Sequence, residues 1–520
     1  MTQASGRRPE VTASRGAGWY ARRVSPVAPR PSLVMSGVFL AVFLASLNQT
    51  TVTTAMPSIV ATMGGLDLYA WVFTAFMLTS TVSVPILGKL SDLHGRRVVF
   101  LFGIALFIGS CLVAGFARTM PELVAVRAVQ GLGAGAIFPV AFAIVGDLYP
   151  PHERARIQGL IGAAFGASSL LGPVVGGWLT EHLGWRWSFW ANVPVGLVAL
   201  AVVAATLPGA PREGARPPLD WAGAVLLVGA LTPLLLLASL GGKHLPWTSP
   251  AALALAGLGA VFGAWFWHVE RRAVAPIIPP GLFRQPVMAV VAAASVFTGV
   301  LLFSDTMFLP LFAQGVLGLG PTRAGLVLTP FMLGMVSGST VSGHLASAGV
   351  RTRRLAAGGL GLATLASAGL LGATLGGLGA GWIAGVAFGI GLGLGSTFPV
   401  FLLAAQNAAP PGQLGSMTAL VQFFRSIGGT FGVAVLGAVL GWHLDAGLVA
   451  GLPGLPPAQR PEPQALLSPA GLAGLTPALA ATVRGVLQQA LAWVFSYGIA
   501  VALLGWAIAA RLPEPHAEPR

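Results

Sequence analysis

The chain is 520 residues long, 55% hydrophobic and only 8% charged, a composition that would leave a water-soluble globule without a polar coat. The net charge of +14 does not point to nucleic acid, because the cations lie scattered in short segments between apolar runs and are not gathered on a soluble domain. Cys111 is the single cysteine, which excludes an intrachain disulfide and a cysteine-rich metal site.

In chain order, residues 1–32 read as a disordered basic cytoplasmic tail carrying Arg7, Arg8, Arg15, Arg22, Arg23 and Arg30. The apolar run that follows is too long for the core of a signal peptide, and no small-residue cleavage site comes after it. A span needs about 20 largely apolar residues, and fourteen such runs are present. They cover 33–57, 69–90, 98–117, 121–147, 156–180, 186–207, 219–240, 250–269, 287–313, 324–347, 354–375, 380–407, 414–443 and 484–511. An even number of spans puts both termini on one side. The two tails and the alternate loops between spans hold 21 of the 29 cations, and the opposite loops hold only Arg118, Arg186, Lys243, Arg323, Arg460 and Arg484. By the positive-inside rule both termini are expected in the cytoplasm. The long connection 444–483 then falls outside, with room for a short interfacial helix over Ala465 to Ala480.

The polar residues inside the runs are the candidates for function. Span one presents Ser46, Asn48, Gln49, Thr50, Thr51, Thr53 and Thr54 within nine residues, too polar to face lipid, and is expected to line a central cavity. Trp71, Phe76, Gln130, Gln314, Gln422 and Arg425 are further cavity candidates. Arg127 and Arg425 stand well inside spans, where a guanidinium costs roughly 2.5–3.5 kcal/mol even on the lenient insertion scale, so both should face protein or water. Asp305 sits in an apolar run that continues on both sides, and such a carboxyl can bind and release a proton during a transport cycle. Glu122, five residues before Arg127, is a second proton candidate, although it lies at the outer end of span four and a surface role suits it.

The loop after span two reads Gly88-Lys-Leu-Ser-Asp92-Leu-His-Gly95-Arg96-Arg97. Gly88 and Gly95 permit a tight turn, Asp92 can accept bonds from helix-start N–H groups, and Arg96 and Arg97 can anchor to carboxylates or headgroups. A worn copy follows span ten, where Gly343-His-Leu-Ala-Ser347 leads to Arg351, Arg353 and Arg354, with Ser in place of Asp. Pro150-Pro151 before span five is echoed by Pro410-Pro411 before span thirteen. Spans one to six (33–207) therefore read as a duplicate of spans nine to fourteen (287–511), with an inserted pair at 208–286 between them and a short cytoplasmic tail, 512–520, at the end. Paired halves around a midplane site are the architecture of alternating-access carriers.

Four motifs give a resemblance to a known family: Gly88 to Arg97; Arg127-Ala-Val-Gln130-Gly131-Leu-Gly133; Gly172-Pro173-Val-Val-Gly176-Gly177; and Trp185-Arg186-Trp187 through Asn192, Pro194 and Gly196. With Asp220-Trp221-Ala-Gly223 opening span seven, the chain resembles the fourteen-helix drug:proton antiporter branch of the major facilitator superfamily over residues 33–511. Leu93 stands where that family usually has a basic residue, Ser168 where Gly is frequent, and Asn48 where span one usually carries Asp.

The resemblance implies an all-α membrane fold of two pseudo-symmetric six-helix bundles plus two inserted helices. It also implies a cytoplasmic latch at Gly88, Asp92, Gly95, Arg96 and Arg97, an antiporter helix at Gly172 to Gly177, and Arg127 as a partner adjusting a nearby carboxyl's proton affinity. Asn48 cannot titrate, so any coupling role of that carboxylate must lie elsewhere. The expected function is export of hydrophobic or cationic compounds across the cell membrane, with the proton gradient as energy source and no cofactor. The alternatives are a carrier of an endogenous lipid or metabolite with different coupling, and an intramembrane transferase. No GxxxxGK[ST] occurs, so the Gly-rich run Gly389 to Gly395 reads as helix packing and ATP is not expected as a partner. The partners expected are the bilayer, protons and a small molecule, and the protein is expected not to be an enzyme.

Overall fold

The computed structural model describes residues 31–64, 68–209, 219–241, 245–319, 321–410, 413–451 and 477–513. These residues are almost wholly α-helical, the one extended feature being an isolated bridge between Gly241 and Leu245. Lipid offers nothing for a bare N–H or C=O to bond, so an apolar chain of this kind must satisfy its backbone within each helix.

The helices are α1 (Pro31–Met63), α2 (Tyr69–His94), α3 (Arg96–Ala114), α4 (Met120–Leu148), α5 (Pro151–His182), the short α6 (Trp187–Trp190) and α7 (Asn192–Thr206). There follow α8 (Trp221–Leu240), α9 (Pro250–Glu270), α10 (Pro286–Gly315), α11 (Pro321–Ser347), α12 (Thr352–Leu375), α13 (Ala380–Asn407), α14 (Leu414–Gly451) and α15 (Pro477–Ala509). Several starts are set by local chemistry. The Asp220 carboxylate accepts the Gly223 N–H at 2.8 Å to cap α8, and Thr119 and Ser249 cap α4 and α9 ahead of a first-turn proline. Between α2 and α3 only Gly95, at φ 95°, allows the chain to turn without breaking the pair apart.

Twelve helices among the described residues are long and apolar enough to cross a membrane, against fourteen expected. The two that fall short are α5 and α11, of 32 and 27 residues, which are small-residue and polar along the faces they turn to one another. Expected span six is broken at Ala191 into α6 and α7, and Asn192 holds the break by donating to the carbonyls of Ser188 and Phe189. The loop expected over 444–483 is shorter than that. Helix α14 runs on to Gly451 and α15 begins at Pro477, and Gly447, past the predicted end of span thirteen, seats against Val486 of α15. Of the interfacial helix expected at 465–480, residues 465–476 lie outside the described residues, as do most of both tails, and 477–480 open α15.

Helices α1–α7 pack among themselves, α1 on α5 and α7, α2 on α4, and α3 on α4 and α7. Helices α10–α15 do the same, α10 on α14 and α15, α11 on α13, and α12 on α13 and α15. The pair α8–α9 packs mainly on itself and touches α2 and α14. The two sets meet along α5–α11, α2–α14, α13–α5 and α4–α14.

Candidate functional site

The end of the molecule that carries residues 88–97 is the near end. There the sequence brings a carboxylate to an exposed helix start. Asp92, at the foot of α2, accepts the backbone N–H of Gly415 at 2.8 Å and of Ser416 at 2.7 Å, and the Ser416 hydroxyl at 2.6 Å. These are first-turn groups of α14, so the anion sits on the positive end of a helix belonging to the other set. Arg96 holds the carboxylate in place at 2.6 Å and is itself held by Asp147 of α4 at 2.8 Å and by the Ser91 hydroxyl at 2.7 Å. Arg97 donates to the Ala204 carbonyl of α7. Gly88 allows the approach, since a β-carbon there would stand 2.3 Å from Ala419 Cβ. The expected cluster of Gly88, Asp92, Gly95, Arg96 and Arg97 is thus one physical unit, to which the structure adds Asp147 and Ser416.

A second clasp at this end had no signal in the sequence. The Gln158 amide of α5 donates to Gln406 Oε1 of α13 at 2.7 Å, and Gln406 donates to the Phe142 carbonyl of α4 and to Thr418 of α14. Both glutamines are buried. Helix α5 also meets α11 closely along this stretch: β-carbons at Gly343 and Gly159 would lie 2.5 Å from the Ala155 carbonyl and 2.7 Å from that of Ser339. Farther along, α5 turns to α1, where Gly172 and Gly176 meet Thr50, Thr51 and Thr54. Gly177, expected to share this role, has open space around it. Pro173 lies within α5, between Gly172 and Gly176.

Arg127 is fully buried among α1, α2 and α4, and it does not meet the carboxyl that the sequence led us to expect. It donates to the Asn48 side-chain oxygen, the Gln130 amide oxygen and the Val72 carbonyl, and it lies 4.2 Å from the Phe76 ring centroid. Gln130 donates in turn to Cys111 Sγ at 2.8 Å. Asn48, Phe76 and Gln130 are therefore packed around a cation and do not line open space. Thr51 is also buried, bonded back to the Asn48 carbonyl, and Gln49 reaches Met77. Trp71 and Gln314 are half-buried. Glu122 is exposed in the first turn of α4, accepting the Arg118 backbone N–H, and has no contact with Arg127. That position makes it a helix-end carboxylate.

In the other set, Arg425 of α14 donates to Gln422 Oε1 at 2.7 Å, and its guanidinium lies 3.6 Å from the Phe398 ring centroid. Asp305 of α10 is buried elsewhere, in a small cavity with Ser304, Phe308, Ser367 and Leu370, and its Oδ2 and the Ser304 hydroxyl have no partner among the described residues. No described group of three or more His, Cys, Asp or Glu has metal-binding spacing.

The sequence pattern described as Major Facilitator Superfamily matches residues 38–433. The chain is 37% identical over 412 residues to the "Multidrug transporter protein MdtP" of Bacillus subtilis, covering 79% of this chain and 75% of that one. It is 35% identical over 407 residues to "Multidrug resistance protein 3" of the same organism, covering 78% and 79%. Among solved structures, the human organic anion transporter MFSD10 (TETRAN) superposes with a TM-score of 0.62 over 92% of this chain and 100% of that one, at 18% identity.

Proposed function

The chain belongs to the Major Facilitator Superfamily of transporters, and from that premise we propose that it exports small hydrophobic compounds across the cytoplasmic membrane by alternating access, in exchange for protons. Residues 33–207 and 287–511 act as the two rocking bundles, 208–286 as an inserted pair, and the near end faces the cytoplasm, as its arginines require. The relatives named for multidrug transport and resistance support the direction and the kind of substrate.

One observation carries the mechanism: the seal at the near end consists of groups from one helix set bonded to the other, above all Asp92 on the start of α14. Such a seal can be released as a unit without unfolding either set. The glycine contacts of α5 support the same reading, since its near half seats on α11 and its far half on α1. This leaves the far half free to splay from the second set. Asp305, buried with one oxygen unpartnered, is the group we assign to proton binding and release. It stands in a different helix set from Arg127, so Arg127 does not act on it directly.

The test is accumulation of fluorescent drugs in a pump-deficient bacterium expressing the wild type, Asp92→Ala and Asp305→Asn. Lower accumulation with the wild type, lost in Asp92→Ala and uncoupled from the pH gradient in Asp305→Asn, is the expected pattern. Full proton-driven export by Asp305→Asn would remove that residue from the coupling role.

A further inference from the structure

Charge inside the two helix sets is unevenly matched. At the near end Arg96 is paired with both Asp92 and Asp147. Deep in the spans, Arg127 and Arg425 are 0% and 5% exposed, and no described carboxylate comes within electrostatic reach of either. Asn48 occupies the place beside Arg127 where a carboxylate would stand, and Asp305 keeps to its own cavity. Arginine does not shed its proton in proteins, so two guanidinium charges are held here by amide oxygens, a backbone carbonyl and aromatic faces alone.

The unused donors are specific. Arg127 leaves Nη2 unbonded, and Arg425 leaves Nε and Nη2 unbonded. Nε and Nη2 form one edge of the guanidinium, the fork that binds a carboxylate through two parallel N–H bonds. Phe398 lies against the guanidinium, so an apolar surface sits next to that fork. Counting 1.5 Å per residue, Arg425 lies about 16 Å along α14 from its near end and Arg127 about 31 Å along α4 from the same end. The two charges therefore stand at different depths on helices that meet at the seam between the sets.

We infer that the compound this carrier moves is an organic anion, whose acidic group takes the unpartnered fork of Arg425 as its counter-charge. The inference rests on the export reading and narrows its substrate class. A cationic compound would meet an unscreened like charge at Arg425 and no described carboxylate within its reach. The aromatic ring beside each guanidinium favours an acid carried on an apolar ring system over an inorganic anion.

Fluorescein and rhodamine 6G share a xanthene frame and differ in charge sign, which makes them suitable probes. Binding of each to the full-length protein in neutral-lipid nanodiscs is read by fluorescence polarisation, with chloride or gluconate as the buffer anion. The wild type should bind fluorescein at least about tenfold more tightly than rhodamine 6G. Arg425→Gln should lose that preference, and Arg425→Lys should recover only part of it because it restores charge without the fork.

Equal or tighter binding of rhodamine 6G overturns the inference, as does unchanged fluorescein binding in a monodisperse Arg425→Gln protein. Thermal stabilisation by chloride with no binding of the dye also overturns it in favour of an inorganic anion. Efflux of rhodamine 6G but not fluorescein from loaded cells would leave the export reading standing and sink this one. Fluorescein binding without efflux of either dye would do the reverse.

Discussion

The two copies of the near-end signal do the same packing job by different means. Gly88 of α2 seats on α14, and Gly343 of α11 seats on α5, so each places a glycine against the helix that follows the double proline in the other set. Four residues on, the copies part. Asp92 reaches across to three donors of α14, whereas the Ser347 hydroxyl folds back on the Gly343 carbonyl of its own helix. The receiving ends explain why. Helix α14 starts with Gly415 and Ser416, which present free donors; α5 starts with Pro151 and Glu153, one lacking an N–H and the other carrying a negative charge. One seam is therefore closed by charge and the other by shape, and only the first can be released by moving a single ion.

The largest effect should come from Asp92→Ala, which strands two α14 amides and leaves Arg96 to Asp147 and Ser91. Each buried donor left without its acceptor costs about 1–3 kcal/mol, and labelling of a buried seam cysteine, Ser339→Cys, should rise steeply. Cys111 is itself buried and stays silent in that assay. Gly343→Ala comes next: its β-carbon meets a backbone carbonyl that cannot step aside, and overpacking of that kind costs about 1–3 kcal/mol. The same assay should show the α5–α11 seam loosened while the Asp92 bonds persist. Gln158→Leu should cost a similar or smaller amount, about 1–3 kcal/mol for the orphaned Gln406 Oε1. The double change with Gln406→Leu should recover part of it, read as thermal stability. The smallest effect belongs to Ser347→Asp, which supplies the missing carboxylate but finds no donors on α5; labelling should change by less than about twofold, within about 0.5 kcal/mol.

Much of this was readable beforehand, for physical reasons that also mark the limits. Spans announce themselves because a lipid-facing helix must be apolar over its whole length, and the loop signature announces itself because glycines and charges are rare among such runs. The ends of α14 and α15 were missed by several residues because the connection between them is itself rich in Leu, Ala and Gly. Helices α5 and α11 look less apolar because they face each other. The partners of Asp92 and Gln158 lie 324 and 248 residues away, beyond any local pattern, although Gly415-Ser416 beside the second double proline was a usable clue. Arg127 was correctly placed inside protein, but its supposed carboxyl partner was not there, since Asn48 fills that place.

Whether the charged seam holds the near end shut is tested most directly by paired spin-label distances. Labels at His94 and Arg353, exposed at the near end of opposite sets, and at Arg118 and Leu378, exposed at the far end, report the two openings separately. Asp92→Ala should add a longer near-end distance together with a shorter far-end one. Unchanged near-end distances in that variant, or both distances lengthening together, would contradict it.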